Sequence, residues 1–233
     1  MDSVGAVAQP APLTKPLLRG WSHLVAFTAV AVLGALILAN AVSTANVSRS
    51  QRLWLGIYVF GTLTMFGVSS LYHRLPWRGR GRSVMSRLDH SAIFLAIVGT
   101  YTPVMATALH GWQKPAVLGS AWGGAMLGVV VEWLPGRFPR LKAPRSLFTA
   151  IYVVVGWSAL LALPQLHRGL GGVGFGLVIG GGVLYTTGAV VYAIKRPDPW
   201  PRVFGFHEVF HMLTIAGAGT HMAAIAFSVV PRM

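Results

Sequence analysis

The chain has 233 residues, 54% of them hydrophobic and only 10% charged, with a mean hydropathy of +0.62. That composition excludes an ordinary water-soluble domain. The absence of cysteine excludes disulfides and thiolate metal sites, so any metal ion must be held by His, Asp or Glu.

The first 20 residues, MDSVGAVAQPAPLTKPLLRG, are rich in Pro and Ala and lack the charged start and small-residue cleavage site of a secretory signal. They read as a flexible cytoplasmic tail, 1–20. Residues 21–233 carry seven apolar runs, at about 22–42, 53–73, 89–109, 115–134, 146–164, 171–194 and 205–230, each long enough to cross a bilayer. They are too long and too continuously apolar for barrel strands. The predicted fold is therefore all-α, a seven-helix transmembrane bundle. Pro103, inside the third run, removes a backbone hydrogen bond and predicts a kink. In the sixth run, Gly172, Gly176 and Gly180 recur every four residues, predicting a face where a neighbouring backbone approaches closely. No internal repeat suggests a pseudo-symmetric transporter.

A net charge of +14 would point to nucleic acid in a soluble protein, but here placement matters more than the sum. Lys15 and Arg19 precede the first run. Arg74, Arg78, Arg80, Arg82 and Arg87 follow the second; Arg137, Arg140, Lys142 and Arg145 follow the fourth; Lys195, Arg196 and Arg202 follow the sixth. Only Arg49, Arg52, Lys114, Arg168 and Arg232 fall on the other side. The positive-inside rule then places the N-terminus in the cytoplasm and the C-terminus outside. The positive charge is assigned to topology and to anionic lipid headgroups, not to nucleic acid.

Ionisable residues inside a membrane are costly and point to function. With this topology Ser69 and His73, in SSLYH, lie at the cytoplasmic end of the second helix. Asp89 and His90, in LDHSAIF, lie at the cytoplasmic start of the third, and His207 and His211 in the first two turns of the seventh. Three helices distant in sequence thus bring polar groups to one depth. His207 and His211, four apart, share a helix face, as do Ser69 and His73. A His pair at that spacing plus one His from another helix makes a three-nitrogen site with an open fourth position, the arrangement of catalytic zinc. His73 is the third ligand on this reading, because His90 adjoins the acidic residue and His23 starts the first helix without a partner motif. Asp89 is better placed outside the ligand set, orienting a water and accepting its proton, with Ser69 pointing into the same cavity. His23, His110 and His167, at segment ends, read as packed or interfacial residues. His221, some 20 Å beyond His207 along the helix, is too deep to join the site and is expected to line a cavity or to bond across to another helix.

HEVFH also matches the HExxH of zinc metalloproteases, in which the Glu is the general base. An intramembrane protease would take its third ligand from an acidic residue on a later helix, and this is the last helix, so an upstream His73 fits that scheme poorly.

The segments SSLYHRLPW, LDHSAIFLAIVGTYTPVM, YVVVGW, GGVLYTTGAVVYAIKRP and GFHEVFHMLTIAGAGTHM resemble, in order, those of the hemolysin III proteins within the progestin and adiponectin receptor family. The resemblance covers helices 2 to 7. It implies a seven-helix bundle with a zinc ion near the cytoplasmic face, bound by His73, His207 and His211, with Asp89 reaching it through water and Ser69 completing the SxxxH motif. Glu208 falls where the family uses no ligand. The related alkaline ceramidases imply a zinc hydrolase acting on an amide or ester bond of a membrane lipid, in the cell's inner (plasma) membrane. The other reading is a non-enzymatic membrane protein, a cytolysin or a sensor of lipid state, whose zinc is structural.

Overall fold

In the computed structural model, residues 15–137 and 145–233 are described. Most of the expected tail, residues 1–14, lies outside them, as do Arg140 and Lys142. The described residues are helical almost throughout: α1 (Trp21–Ser43), α2 (Arg49–Arg74), α3 (Gly79–Ala108), α4 (Gln113–Arg137), α5 (Arg145–Gly156), α6 (Leu163–Ile194) and α7 (Phe206–Ala224). A 3-10 turn, Ser158–Ala162, joins α5 to α6. Strand-like pairing among the described residues is confined to one antiparallel bridge between Trp200 and Phe204.

Among the described residues six stretches are long and apolar enough to cross a membrane: Trp21–Ser43, Arg49–Arg74, Gly79–Ala108, Gln113–Leu134, Thr149–Ile194 and Phe206–Arg232. The runs expected separately at 146–164 and 171–194 fall in one 46-residue stretch. It is interrupted by the 3-10 turn and again at Gly171, whose φ of 73° and ψ of 170° are not helical. Large apolar side chains point outward along these helices; Phe227 and Val173 are 75% and 76% exposed, and Val25, Phe60, Leu127 and Val154 are exposed as well. Such a surface is stable only against lipid. The protein is a multi-pass membrane protein.

Because lipid is as apolar as a leucine side chain, helices in a membrane are held by close packing and hydrogen bonds rather than by the hydrophobic effect. The crossing of α2 and α3 is built on small residues. A Cβ at Gly61 would lie 2.6 Å from the Leu95 carbonyl oxygen, and one at Gly99 would lie 3.1 Å from that of Ile57. This close approach brings the end of α2, with His73, beside Asp89, which lies about three turns inside α3 rather than at its start, because the helix begins at Gly79. Pro103 is buried within α3, which runs through it for 30 residues.

Against α7, the helix α6 uses a different glycine face from the expected one. Cβ atoms at Gly172, Gly176 and Gly180 would meet nothing within 4 Å, whereas Gly174, Gly181 and Gly188 are buried against Ser228, His221 and Phe210. The reason is the helical period. Seven residues make nearly two full turns and stay on one face, while repeated steps of four drift around the helix.

The segment 17–20 and the C-terminal Met233 contact opposite ends of α2. Of the expected tail, Leu17 and Leu18 donate their backbone N–H groups to the Arg202 and Val203 carbonyls at 3.1 Å, and Gly20 packs on the end of α2 at His73 and Arg74. At the other end of α2, the Met233 carbonyl accepts from the Gln51 side chain at 3.3 Å. Gln51 is also part of the capping box with Ser48 that starts α2.

Candidate metal centre

His73 sits in the last turn of α2, and His207 and His211 in the first two turns of α7. The start of α7 is fixed by carboxylates. Glu208 accepts the Gly205 N–H at 2.9 Å and Asp198 accepts that of Phe206 at 2.8 Å; these backbone donors have no partner within the helix, and negative charge there is favoured by the helix dipole. The four-residue spacing then directs His207 and His211 to the same side, toward His73. Ring centroids are 4.5 Å apart for His207 and His211, 4.7 Å for His73 and His207, and 5.1 Å for His73 and His211.

One nitrogen from each ring lies within 4.8 Å of the other two, and this group can hold a metal ion. The Nε2 atoms of His73 and His207 are 3.2 Å apart. Two nitrogens on a tetrahedral ion at about 2.0–2.1 Å are separated by about 3.3 Å, so this pair is already at ligand spacing. His211 is 1% exposed, and its Nδ1 is buried without a hydrogen-bond partner. The donor set fits a borderline-soft divalent cation.

Asp89 approaches from α3, with Oδ2 3.7 Å from His73 Nε2, but its carboxylate is outside the group of mutually close ligand atoms. Ser69 is buried one turn before His73 on α2, on the same side of that helix. The five residues expected to form the site are therefore brought together at one end of the bundle. Glu208 is buried, at 1% exposure, and its carboxylate is occupied by Gly205 and by an ion pair with Arg19; it faces away from the general-base role that HExxH would give it. Of the two alternatives expected for His221, the bond to another helix is the one found, and the cavity it lines is separate from the histidine group. Its Nε2 lies 3.0 Å from the Val178 carbonyl on α6, and its ring lines a cavity with Tyr101, Trp157 and Gly182.

Three features were not anticipated. His23 is buried and stacks face to face on His211, with centroids 3.7 Å apart and planes at 15°. Its depth in the first turn of α1 was a usable signal, since that turn begins at the same membrane face as α7. Glu132 on α4 pairs with His90 at 3.1 Å, and the Tyr152 hydroxyl donates to the His90 carbonyl, also at 3.1 Å. An acidic residue in an apolar run is itself a signal. Arg19 reaches Glu208 across 189 positions of sequence, and no local pattern announces that pairing. His110 and His167 remain at the exposed surface as expected.

The model of the family described as haemolysin-III related matches residues 12–222. Hemolysin-3 of Bacillus cereus is 30% identical over 176 residues, covering 75% of this chain and 71% of that protein. A heptahelical transmembrane protein of Oryza sativa subsp. japonica is 29% identical over 184 residues, covering 72% of this chain and 79% of that one. The adiponectin receptor protein of Drosophila melanogaster is 25% identical over 224 residues, covering 88% and 49% respectively. The matched region runs from before α1 to the second half of α7 and contains the whole histidine group. With its multi-pass helical architecture and its histidine cluster, the chain belongs to the hemolysin III family, within the wider progestin and adiponectin receptor group.

Proposed function

We propose that this protein is a seven-helix zinc hydrolase of the cell's inner membrane, with its N-terminus and metal centre at the cytoplasmic face, acting on an amide or ester bond of a membrane lipid. The observation that carries this reading is the ligand arithmetic: three histidine nitrogens gathered within 4.8 Å, with Asp89 close to His73 yet outside the group. A structural zinc site is closed by four protein ligands, whereas a catalytic one has three.

Zinc held by His73, His207 and His211 supplies Lewis acidity and lowers the pKa of water to about 7. The Asp89 carboxylate orients the attacking water and accepts its proton as the oxygen adds to the lipid carbonyl carbon. When the C–N or C–O bond breaks, that proton passes to the leaving amine or alkoxide. Ser69, buried one turn before His73, would donate its hydroxyl proton in a hydrogen bond to the developing oxyanion. The outward apolar surface keeps a lipid substrate at hand in the surrounding bilayer.

Parity supports seven crossings. N- and C-terminal segments contact opposite ends of α2, which at 26 residues is about 39 Å long; opposite faces require an odd number of crossings. The 46-residue stretch supplies the extra one. Tyr152 bonds His90 near the start of α3, and Gln165 bonds His110 just beyond its end, so the chain crosses between them and returns after Gly171 to bring Tyr192 against His207. The name of the rice relative, heptahelical, agrees.

The test is to incubate zinc-loaded protein with a panel of lipid amides and esters, comparing wild type with Asp89→Asn. Release of fatty acid by wild type, reduced at least about a hundredfold in the variant with zinc content unchanged, is the expected result. Equal release from both removes Asp89 from the mechanism. Full zinc retention in each of the His73→Ala, His207→Ala and His211→Ala variants removes the metal centre.

A further inference from the structure

We infer that Glu208 is a positioning residue of the metal centre, acting through Arg19 to strap the segment Leu17–His23 across the two helices that carry the ligands. The inference rests on reading the three histidines as metal ligands.

The strap is attached at four points. Leu17 and Leu18 donate to the Arg202 and Val203 carbonyls in the segment leading into α7. The Arg19 Nε–H donates to Glu208 Oε1, while Glu208 Oε2 holds the Gly205 N–H, so one buried carboxylate ties the strap to the first turn of α7. Gly20, at φ +81°, turns the chain into α1 so tightly that a Cβ would lie 2.9 Å from His73 Cβ and from Arg74 Cγ. Two residues beyond the resulting Trp21, which lies under the Arg74 guanidinium at 4.0 Å, His23 stacks on His211. The strap therefore touches the helix end bearing His73 and the helix start bearing His207 and His211, two elements that share no backbone hydrogen bond among the described residues and meet through the histidine rings themselves.

Glu208 lies about 100° around α7 from His207, off the ligand face, which is why its carboxylate is free for this task. Arg19, paired with Glu208 in the same turn of α7 as His207, also brings a positive charge to the neighbourhood of the ligands. This separates two roles by the sign of their effect. If Arg19 were only a cation near a cation site, its removal would tighten metal binding. If it is the fastener of the strap, its removal loosens the spacing between His73 and the α7 pair and weakens binding.

Metal affinity of the full-length protein in detergent is measured with Co(II), by chelator competition and by its visible ligand-field spectrum, for wild type, Arg19→Met, Glu208→Gln and the double variant. Each single substitution is expected to weaken binding by about tenfold or more, the range seen for residues that orient metal ligands, and to alter the Co(II) spectrum. The double variant is expected to be no weaker than the worse single one, because both break the same link. Arg19→Met that binds Co(II) as well as or better than wild type, or losses that add in the double variant, overturn the inference. If Glu208→Gln does not fold, Arg19→Met, whose side chain is partly exposed, still decides it. An unchanged spectrum with a lowered unfolding temperature of the metal-free protein also overturns it, since that is a merely structural clasp. Wild type that binds no Co(II) overturns the metal centre together with the strap; normal binding by wild type and unaffected binding by Arg19→Met overturns the strap alone.

Discussion

His211 is buried and His221 partly buried on the same helix, yet their environments assign them different work. His211 belongs to the ligand group. His221 is ten residues further on, about 15 Å along the axis, where it bonds the Val178 carbonyl and packs against Gly181. Replacing His221 with Leu removes that bond and is expected to cost about 1 kcal/mol of stability while leaving metal affinity unchanged. Thermal unfolding and Co(II) titration of one preparation check both halves, and a matched fall in affinity would mean that the two levels of α7 are coupled. The separation was legible in the sequence because depth is simply residue number multiplied by helical rise. So were His73, Asp89 and Ser69, whose spacing and depth place them near His207 before any contact is known. Arg19 was not legible in the same way, because its partner is nearly the whole chain away and its own surroundings in sequence, LLRGWSH, carry no repeating pattern.

Between elements, the decisive contacts are glycines seated on a neighbouring backbone. Gly61 of α2 faces the Leu95 carbonyl of α3, an atom that cannot move without moving its helix. Gly61→Ala is expected to destabilise the fold by about 1–3 kcal/mol and to weaken metal binding, since the same crossing sets His73 beside Asp89. Gly176→Ala is the control: a Cβ there meets nothing within 4 Å, and no loss is expected. Detergent unfolding curves for the two variants test the contrast; equal behaviour would show that the α2–α3 approach is not what limits stability. That helices would pack on small residues was readable from composition, but the working face of α6 was not. The row Gly172, Gly176, Gly180 is more regular to the eye than Gly174, Gly181, Gly188, and only the second set keeps pace with two turns of helix.

For the whole molecule, the question is how many times the stretch Thr149–Ile194 crosses the bilayer. Forty-six residues of continuous helix would extend about 69 Å, over twice the roughly 30 Å hydrocarbon core. The sequence marks the break by the polar QLHRG between the two apolar runs, and the structure marks it by the positive φ of Gly171. Gly171 admits a backbone that an L side chain resists, and the neighbouring Arg168 is exposed there. The absence of native cysteine makes the topology directly measurable. Single cysteines at Arg168, Arg49 and Arg80, all exposed, are labelled in intact cells with a membrane-impermeant thiol reagent. Seven crossings with the basic end inside place Arg168 and Arg49 outside and Arg80 inside, so the first two react at once and the third only after permeabilisation. An Arg168 cysteine that behaves like the one at Arg80 would make Thr149–Ile194 a single crossing. The segment docked on Arg202 and the C-terminus at Gln51 would then have to share a membrane face, which their contacts with opposite ends of the protein oppose.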